Sequence, residues 1–221
     1  MKEYLPLYER CFLFDGIARQ QITPLLTCLG AKVISFSKGS TIFRQDDPAR
    51  FFGVVLSGSV QVIRGDIYGS HTITALIEAG DIFGETFACA SAAAIPANVI
   101  ASSESTILLL EHARVVCNCS KGCTAHARLI TNLLRIIADK NLLLNQKLEF
   151  VMQRTTRDKL MAYLHSQASK ARSNHFSIPF DRQGLADYLG VERSAMSTEL
   201  NKLKKAGVID FQKNEFELKL I

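Results

Sequence analysis

The hydrophobic period of this chain changes in its middle from that of strands to that of a long helix, and that change limits what it can fold into. From Ala31 to about Glu111, apolar residues come in short β-rich runs: AKVISF, STIFRQ, GVVLSGSVQVIR, SHTITALIEAG and STILLLE. Gly39, Gly53, Gly58, Gly65, Gly69, Gly80 and Gly84 punctuate them. Short strands with regular glycine turns specify an antiparallel sandwich or barrel-like roll. From Ala125 to Val151 the period becomes helical and long. Ile130, Leu134, Ile137, Asn141, Leu144, Leu148 and Val151 alternate steps of four and three, which makes a heptad seam. A polar Asn141 at one seam position is a device for fixing register and two-strandedness at some cost in stability. Two occupants of the seam stay open, a second copy of the chain or the core of its own β domain. Leu133, Leu142 and Leu143 flank the seam, so part of the helix is expected to pack on that domain.

Beyond the long helix the elements are short and differ in kind. Residues 155–169 read as a helix and FSIPF (176–180) as a short strand. The segment from Asp181 to Leu203, DRQGLADYLGVERSAMSTELNKL, follows. In its first half Leu185 and Leu189 are spaced i,i+4 and share an inward face, with small Ala186 allowing close crossing. Gly190 stands where a left-handed residue closes a helix, and Val191 buries the turn. Met196, Leu200 and Leu203 form the inward stripe of the second half. Arg193, Ser194, Ser197, Thr198 and Asn201 are left facing outward. This is the build of a helix-turn-helix, whose second helix enters a DNA major groove; an ordinary helical hairpin with a solvated face has the same pattern. Val208–Phe211 and Phe216–Leu220 alternate around Lys213-Asn214 as a hairpin wing.

Charge favours the groove-reading alternative. Residues 151–221 hold 12 Lys/Arg against 8 Asp/Glu, whereas residues 1–150 hold 14 against 13, so most of the net +5 lies with the helix-turn-helix. With 221 residues, 48% of them hydrophobic, the chain is long enough for proper cores. Near its start, residues 18–29 read as a helix with Leu25, Leu26 and Leu29 inward and Asp15 as its N-terminal cap. MKEYLPLYERCFLF lacks the continuous apolar core of a signal peptide, and no run is long enough to span a bilayer. A cytoplasmic protein with reduced thiols at its six cysteines is the expectation. His71, His112, His126, His165 and His175 show no nucleophile partner, and no phosphate loop or catalytic motif is present, which argues against an enzyme.

LSGSVQVIR and GDIFGE in the roll, with RQGLADYLG running into ERSAMSTEL, make the chain resemble the CRP/FNR superfamily of bacterial transcription regulators over nearly its whole length. The resemblance implies an α+β protein: an N-terminal antiparallel β-roll of the cyclic-nucleotide-binding type (1–124), a long dimerisation helix (125–152) and a C-terminal winged helix-turn-helix (153–221). It implies a homodimer bound to a pseudo-palindromic operator in double-stranded DNA, with RNA polymerase as partner if the protein is an activator. Carried over by position, Arg182 and Gln183 are expected to contact phosphate, and Arg193, Ser194 and Ser197 to approach base edges. Thr198 stands where many relatives carry another DNA-contacting arginine, a loss for which Lys202 compensates or which goes unreplaced.

The same resemblance places an effector pocket at Gly84, Glu85, Thr86, Ile95, Pro96, Asn98, Leu144 and Asn145. Relatives that bind cyclic nucleotides follow the glycine and glutamate, about ten residues on, with an arginine and a serine for the cyclic phosphate. Here those positions are Ile95 and Pro96. A semi-enclosed phosphate needs a cation or several donors, so cyclic AMP is not the expected effector. An apolar or uncharged ligand, or a fold that binds nothing, both fit. No cofactor is expected, with one alternative: Cys117, Cys119, Cys123 and His126 as a metal or redox centre. Cys123 and His126 share a helical face at i,i+3, although C-x-C-x-x-x-C is not a standard zinc spacing. A sensing module that acts through a protein partner is the competing function.

Overall fold

The computed structural model describes residues 2–65, 71–117 and 123–219. The chain divides into two compact units, Met1–Asp139 and Lys140–Ile221, with the division inside the long helix.

The first unit opens with a short 3-10 turn (Lys2–Tyr4), helix α1 (Leu5–Tyr8), a second 3-10 turn (Phe12–Phe14) and α2 (Arg19–Cys28). Leu25, Leu26 and Leu29 are buried, as their spacing predicts. Asp15 is not the cap of α2. It closes the preceding 3-10 turn, and the N-cap is Ala18 with no side-chain bond. What Asp15 contributes is its carbonyl, which accepts from Asn132 Nδ2 at 2.8 Å and Arg128 Nε at 3.2 Å.

Next come β1 (Lys32–Phe36), β2 (Thr41–Phe43), β3 (Phe51–Ser57), β4 (Ser59–Gly65), β5 (His71–Glu78), β6 (Ile82–Phe83), α3 (Glu85–Cys89), β7 (Asn98–Ala101), β8 (Ser105–Glu111) and α4 (His112–Val116). The strands form two four-stranded antiparallel sheets, ordered β1-β8-β3-β6 and β2-β7-β4-β5. Strand β3 is nearly continuous in burial because both its faces are covered. Phe52, Val54 and Leu56 join the helical side of the unit with Leu108 and Leu110, while Val55 joins the opposite side with Val60, Phe83, Ile95 and Ile107. At Gly53 a Cβ would meet the Phe83 ring at 2.1 Å, so glycine is what allows β6 to pack on β3.

Helix α5 (Thr124–Val151) serves both units. Ala125, Leu129 and Leu133 are buried in the first unit's core. Leu142 and Leu143, expected to continue that packing, are instead 66% and 60% exposed. The reason is length: the first unit ends at Asp139, and the helix runs past it.

In the second unit α5 is followed by α6 (Thr156–Ala171), β9 (His175–Ser177), α7 (Arg182–Leu189), α8 (Arg193–Lys205), β10 (Ile209–Gln212) and β11 (Glu215–Leu218). The strands form an antiparallel sheet in the order β10-β11-β9. Thr155 caps α6, accepting from the Asp158 amide at 3.1 Å. The core joins Phe150, Leu160, Tyr163 and Leu164 to Leu185, Ala186, Leu189, Met196, Leu200 and Leu203, closed by Ile209 and Phe216. The expected roll, long helix and winged helix-turn-helix are all present. Burying a side chain such as Leu200 contributes about 1.5–3 kcal/mol, so the inward stripe fixes which face of α8 is left for solvent.

Candidate nucleic-acid interface

Helices α7 and α8 are joined by Gly190, Val191 and Glu192. Gly190 is left-handed at φ +61°, a conformation that costs glycine nothing, and the Val191 amide bonds back to the Ala186 carbonyl at 3.0 Å. Both helices are capped by acidic side chains. Asp181 accepts from the Gly184 amide at 2.7 Å and Glu192 from the Ala195 amide at 2.8 Å. The Ser194 hydroxyl donates to the same Glu192 carboxylate. That hydroxyl, then the amides of Ser194 and Ala195, hold Glu192 below the usual carboxylate range.

Arg193, Ser194, Thr198, Asn201 and Lys202 are exposed on α8, and Ser197 is half-buried. Ser197 and Thr198 donate their hydroxyls to the Arg193 and Ser194 carbonyls, each at 2.9 Å. With those protons engaged, both present lone pairs, which suit the amino groups of adenine or cytosine. Lys202 lies 2.5 Å from Glu199. Exposed pairs of this kind contribute about 0–1 kcal/mol, so Lys202 is held only weakly. Gln183 is exposed and donates to Asp187 at 2.8 Å.

Arg182, expected to contact phosphate, lies against the wing. It is half-buried, and Nη2 donates to the Lys213 carbonyl at 2.9 Å. Its guanidinium lies 4.8 Å from the centre of the Phe211 ring and 5.2 Å from that of Phe216. It faces the wing and not an open surface. Sequence spacing carries no signal for this, because the rings come some thirty residues later. Lys204 is also tied inward, to Asp210 and, at 3.2 Å, to the Phe211 carbonyl. Lys219 reaches the same Asp210 at 3.6 Å. The Lys204 contact, before the Phe211 amide, holds Asp210 below its ordinary pKa. Arg182, Lys204 and Lys219 are thus engaged inside the unit. Among the described residues Arg193, Lys205 and Lys213 are in no ion pair.

The expected effector positions in the roll form a different surface. Gly84 caps α3 in a left-handed conformation and Glu85 is buried, bonded by the Thr86 hydroxyl at 3.4 Å. Ile95 is buried between the sheets, its amide bonded to the Asp47 carbonyl at 2.9 Å and its carbonyl to the Asp46 amide at 2.8 Å. Pro96 follows, and Asn98 accepts from the Gln45 amide at 2.9 Å. Beside Ile95 is a cavity of 330 Å³ lined by Phe43, Asp47, Pro48, Arg50, Phe51 and Ile95. Its one cation, Arg50, faces a lining that also holds Asp47, and the sequence pattern gave no reason to single it out. Leu144 and Asn145 belong to the second unit and are exposed, with Asn145 bonded to Asn141 at 2.8 Å.

Of the cysteine cluster, Cys119 lies outside the described residues. Cys117 is exposed and Cys123 half-buried. His126 is buried, and its Nε2 lies 2.6 Å from the Val115 carbonyl, so that nitrogen is engaged by backbone. No group of three or more metal-ligating side chains comes together among the described residues.

An exposed reading helix, a hairpin wing and a two-sheet roll on one chain define a winged helix-turn-helix regulator with a cyclic-nucleotide-binding-like domain. Residues 33–116 match the cyclic nucleotide-binding domain family and residues 158–220 the Crp-like helix-turn-helix domain family. With both in this order, the chain belongs to the CRP/FNR family of transcription regulators, which are DNA-binding proteins and not enzymes. Three solved structures show the same fold. The catabolite activator protein of Thermus thermophilus is 22% identical with a TM-score of 0.51, over 94% of this chain and 93% of that one. The c-di-GMP-responsive global regulator CLP of Xanthomonas campestris is 18% identical with a TM-score of 0.54, over 92% and 100%. DNR of Pseudomonas aeruginosa is 20% identical with a TM-score of 0.51, over 100% and 95%. No curated protein matches the sequence significantly. Among the described residues no helix is long and apolar enough to cross a membrane.

Proposed function

We propose that the protein is a cytoplasmic, homodimeric, sequence-specific transcription regulator whose paired α8 helices read a pseudo-palindromic operator without cyclic AMP. The observation that carries this is α8 itself, a buried Met196-Leu200-Leu203 stripe backing an exposed face headed by Arg193. Arg193 reads guanine, with Ser194, Ser197 and Thr198 beside it and Gln183 and Lys202 flanking. The second copy lies along α5, where Leu134, Leu144 and Leu148 of the heptad seam are 63%, 62% and 52% exposed. Asn141 sets the register. RNA polymerase is the further partner if the protein activates.

The roll supports the negative half of the proposal. Cyclic-phosphate binding of the family kind needs a cation where this chain has buried Ile95 and then Pro96. The 330 Å³ cavity, walled by two phenylalanines and carrying one charge of each sign, suits an uncharged or zwitterionic ligand better than an anion. A thiol-based input through Cys117, Cys119 and Cys123 is the second reading, favoured by the exposure of Cys117.

Selection of bound sites from random duplex DNA tests the reading. The expected result is a two-fold-symmetric consensus with half-sites about 10 base pairs apart, one helical turn. Enrichment of no symmetric site would end it.

A further inference from the structure

The wing turn is held from two sides. The Ile178 amide donates to the Asn214 carbonyl at 3.0 Å, and Arg182 Nη2 donates to the Lys213 carbonyl at 2.9 Å. Between them Lys213 sits at φ +52°, the left-handed conformation that the first residue of a two-residue hairpin turn requires. Arg182 also spans the base of the wing, within 4.8 Å and 5.2 Å of the Phe211 and Phe216 ring centres, which are themselves 5.6 Å apart. Lys204 Nζ also lies over Phe211, at 5.1 Å, so a cation over that ring is not what sets Arg182 apart; its guanidinium fork meets both rings and the Lys213 carbonyl together. Nη1 is buried and meets no hydrogen-bond acceptor. Burial draws the Arg182 pKa down from its usual value, as expected of a cation removed from water. To touch a DNA phosphate, Arg182 would have to abandon both rings and the carbonyl. Lys213 is in the opposite position. It is exposed at the tip of the wing and, among the described residues, in no ion pair.

We propose that Arg182 is a positioning residue that locks the wing tip, and that Lys213, held there, is the wing's phosphate contact. The inference rests on the DNA-reading function above and reassigns the phosphate contact from the start of α7 to the hairpin. Because α7 begins at Arg182 and its cap Asp181, the clamp also ties the wing to the same helix-turn-helix that orients α8, so wing and reading helix dock as one body.

A double-mutant cycle on the full-length protein tests this, with affinity for a random-sequence 30-base-pair duplex measured as a function of salt. Each phosphate contact adds about 0.9 to the slope of log affinity against log salt. Lys213→Ala is therefore expected to reduce that slope by about 0.9 for each wing engaged. Arg182→Met, which keeps apolar packing on the rings, should give the same loss. The double variant should lose no more than either single one. Arg182→Lys should behave like Arg182→Met, since it keeps the charge but not the fork that meets the rings and the Lys213 carbonyl together. If the two losses add, or if Arg182→Lys restores the slope, Arg182 is itself the phosphate contact and the proposal fails. A steep wild-type slope unchanged in Lys213→Ala overturns the wing assignment alone, whereas a flat wild-type slope removes the DNA-reading function with it. Lys213 is exposed, so its variant is expected to fold, and it decides the matter if Arg182→Met does not.

Discussion

The reader and the roll use their polar groups in opposite ways. On α8 the apolar residues are spent on a buried stripe, and Arg193, Ser194 and Thr198 remain at the surface. In the roll, Ile95, buried in the core between the sheets, and Pro96 stand, under the proposed function, where nucleotide-binding relatives hold a cyclic phosphate. The difference teaches that the two domains answer to separate demands. A groove-reading helix must keep donors and acceptors free at fixed spacing. A sensor domain keeps its fold when its binding groups are replaced, because apolar side chains at those sites extend the core.

Three substitutions sharpen or break this contrast. The largest effect is expected at the seam. Leu148→Glu places a charge on an exposed leucine of α5 and should convert a dimer into monomers by sedimentation. Losing two-site engagement should then cost about 10²–10⁴-fold in operator affinity. A variant that stays dimeric would show that the seam is not where copies meet. Next in size is Ile95→Arg, which restores the missing cation to the roll. The guanidinium would overpack the core beside Phe43 and Val99, with the Asp47 carboxylate in the lining of the adjoining cavity, so unfolding should become easier by about 3 kcal/mol. A stable variant that binds cyclic AMP would mean that the site is merely one residue short of function. The smallest effect is at the reader itself. Arg193→Ala should lose about 1–3 kcal/mol of discrimination between operator and random duplex, with little change on random DNA. Equal losses on both would make Arg193 a phosphate contact and not a base reader.

The fold was legible wherever burial repeats with a regular period. Leu185, Leu189, Met196, Leu200 and Leu203 announce two crossing helices, and all are buried together. The glycine-spaced strands announce the roll. Strand β7 escaped notice because ASAAAIPANVIA is rich in alanine and has neither period, so only its pairing with β2 and β4 defines it. Asp15 misled because its residue type suits a cap, while the structure uses its carbonyl. Leu142 and Leu143 misled because apolar type alone does not tell where a domain ends beneath a helix.

The interface was legible in outline only. Outward positions on α8 follow from the inward stripe, but a side chain's partners do not. Nothing in the spacing tells that Arg182 turns to Phe211 and Phe216, that Lys204 is spent on Asp210, or that the Ser197 and Thr198 hydroxyls return to their own helix. Tertiary contacts decide which cations remain for DNA, and composition cannot.

The central proposal is that a DNA-reading helix-turn-helix shares its chain with a roll that does not take cyclic AMP. Affinity for a selected operator duplex, measured with and without saturating cyclic AMP, tests both halves at once. The account predicts tight binding that is the same in both conditions. Binding that appears, or tightens tenfold or more, only when cyclic AMP is added would contradict it.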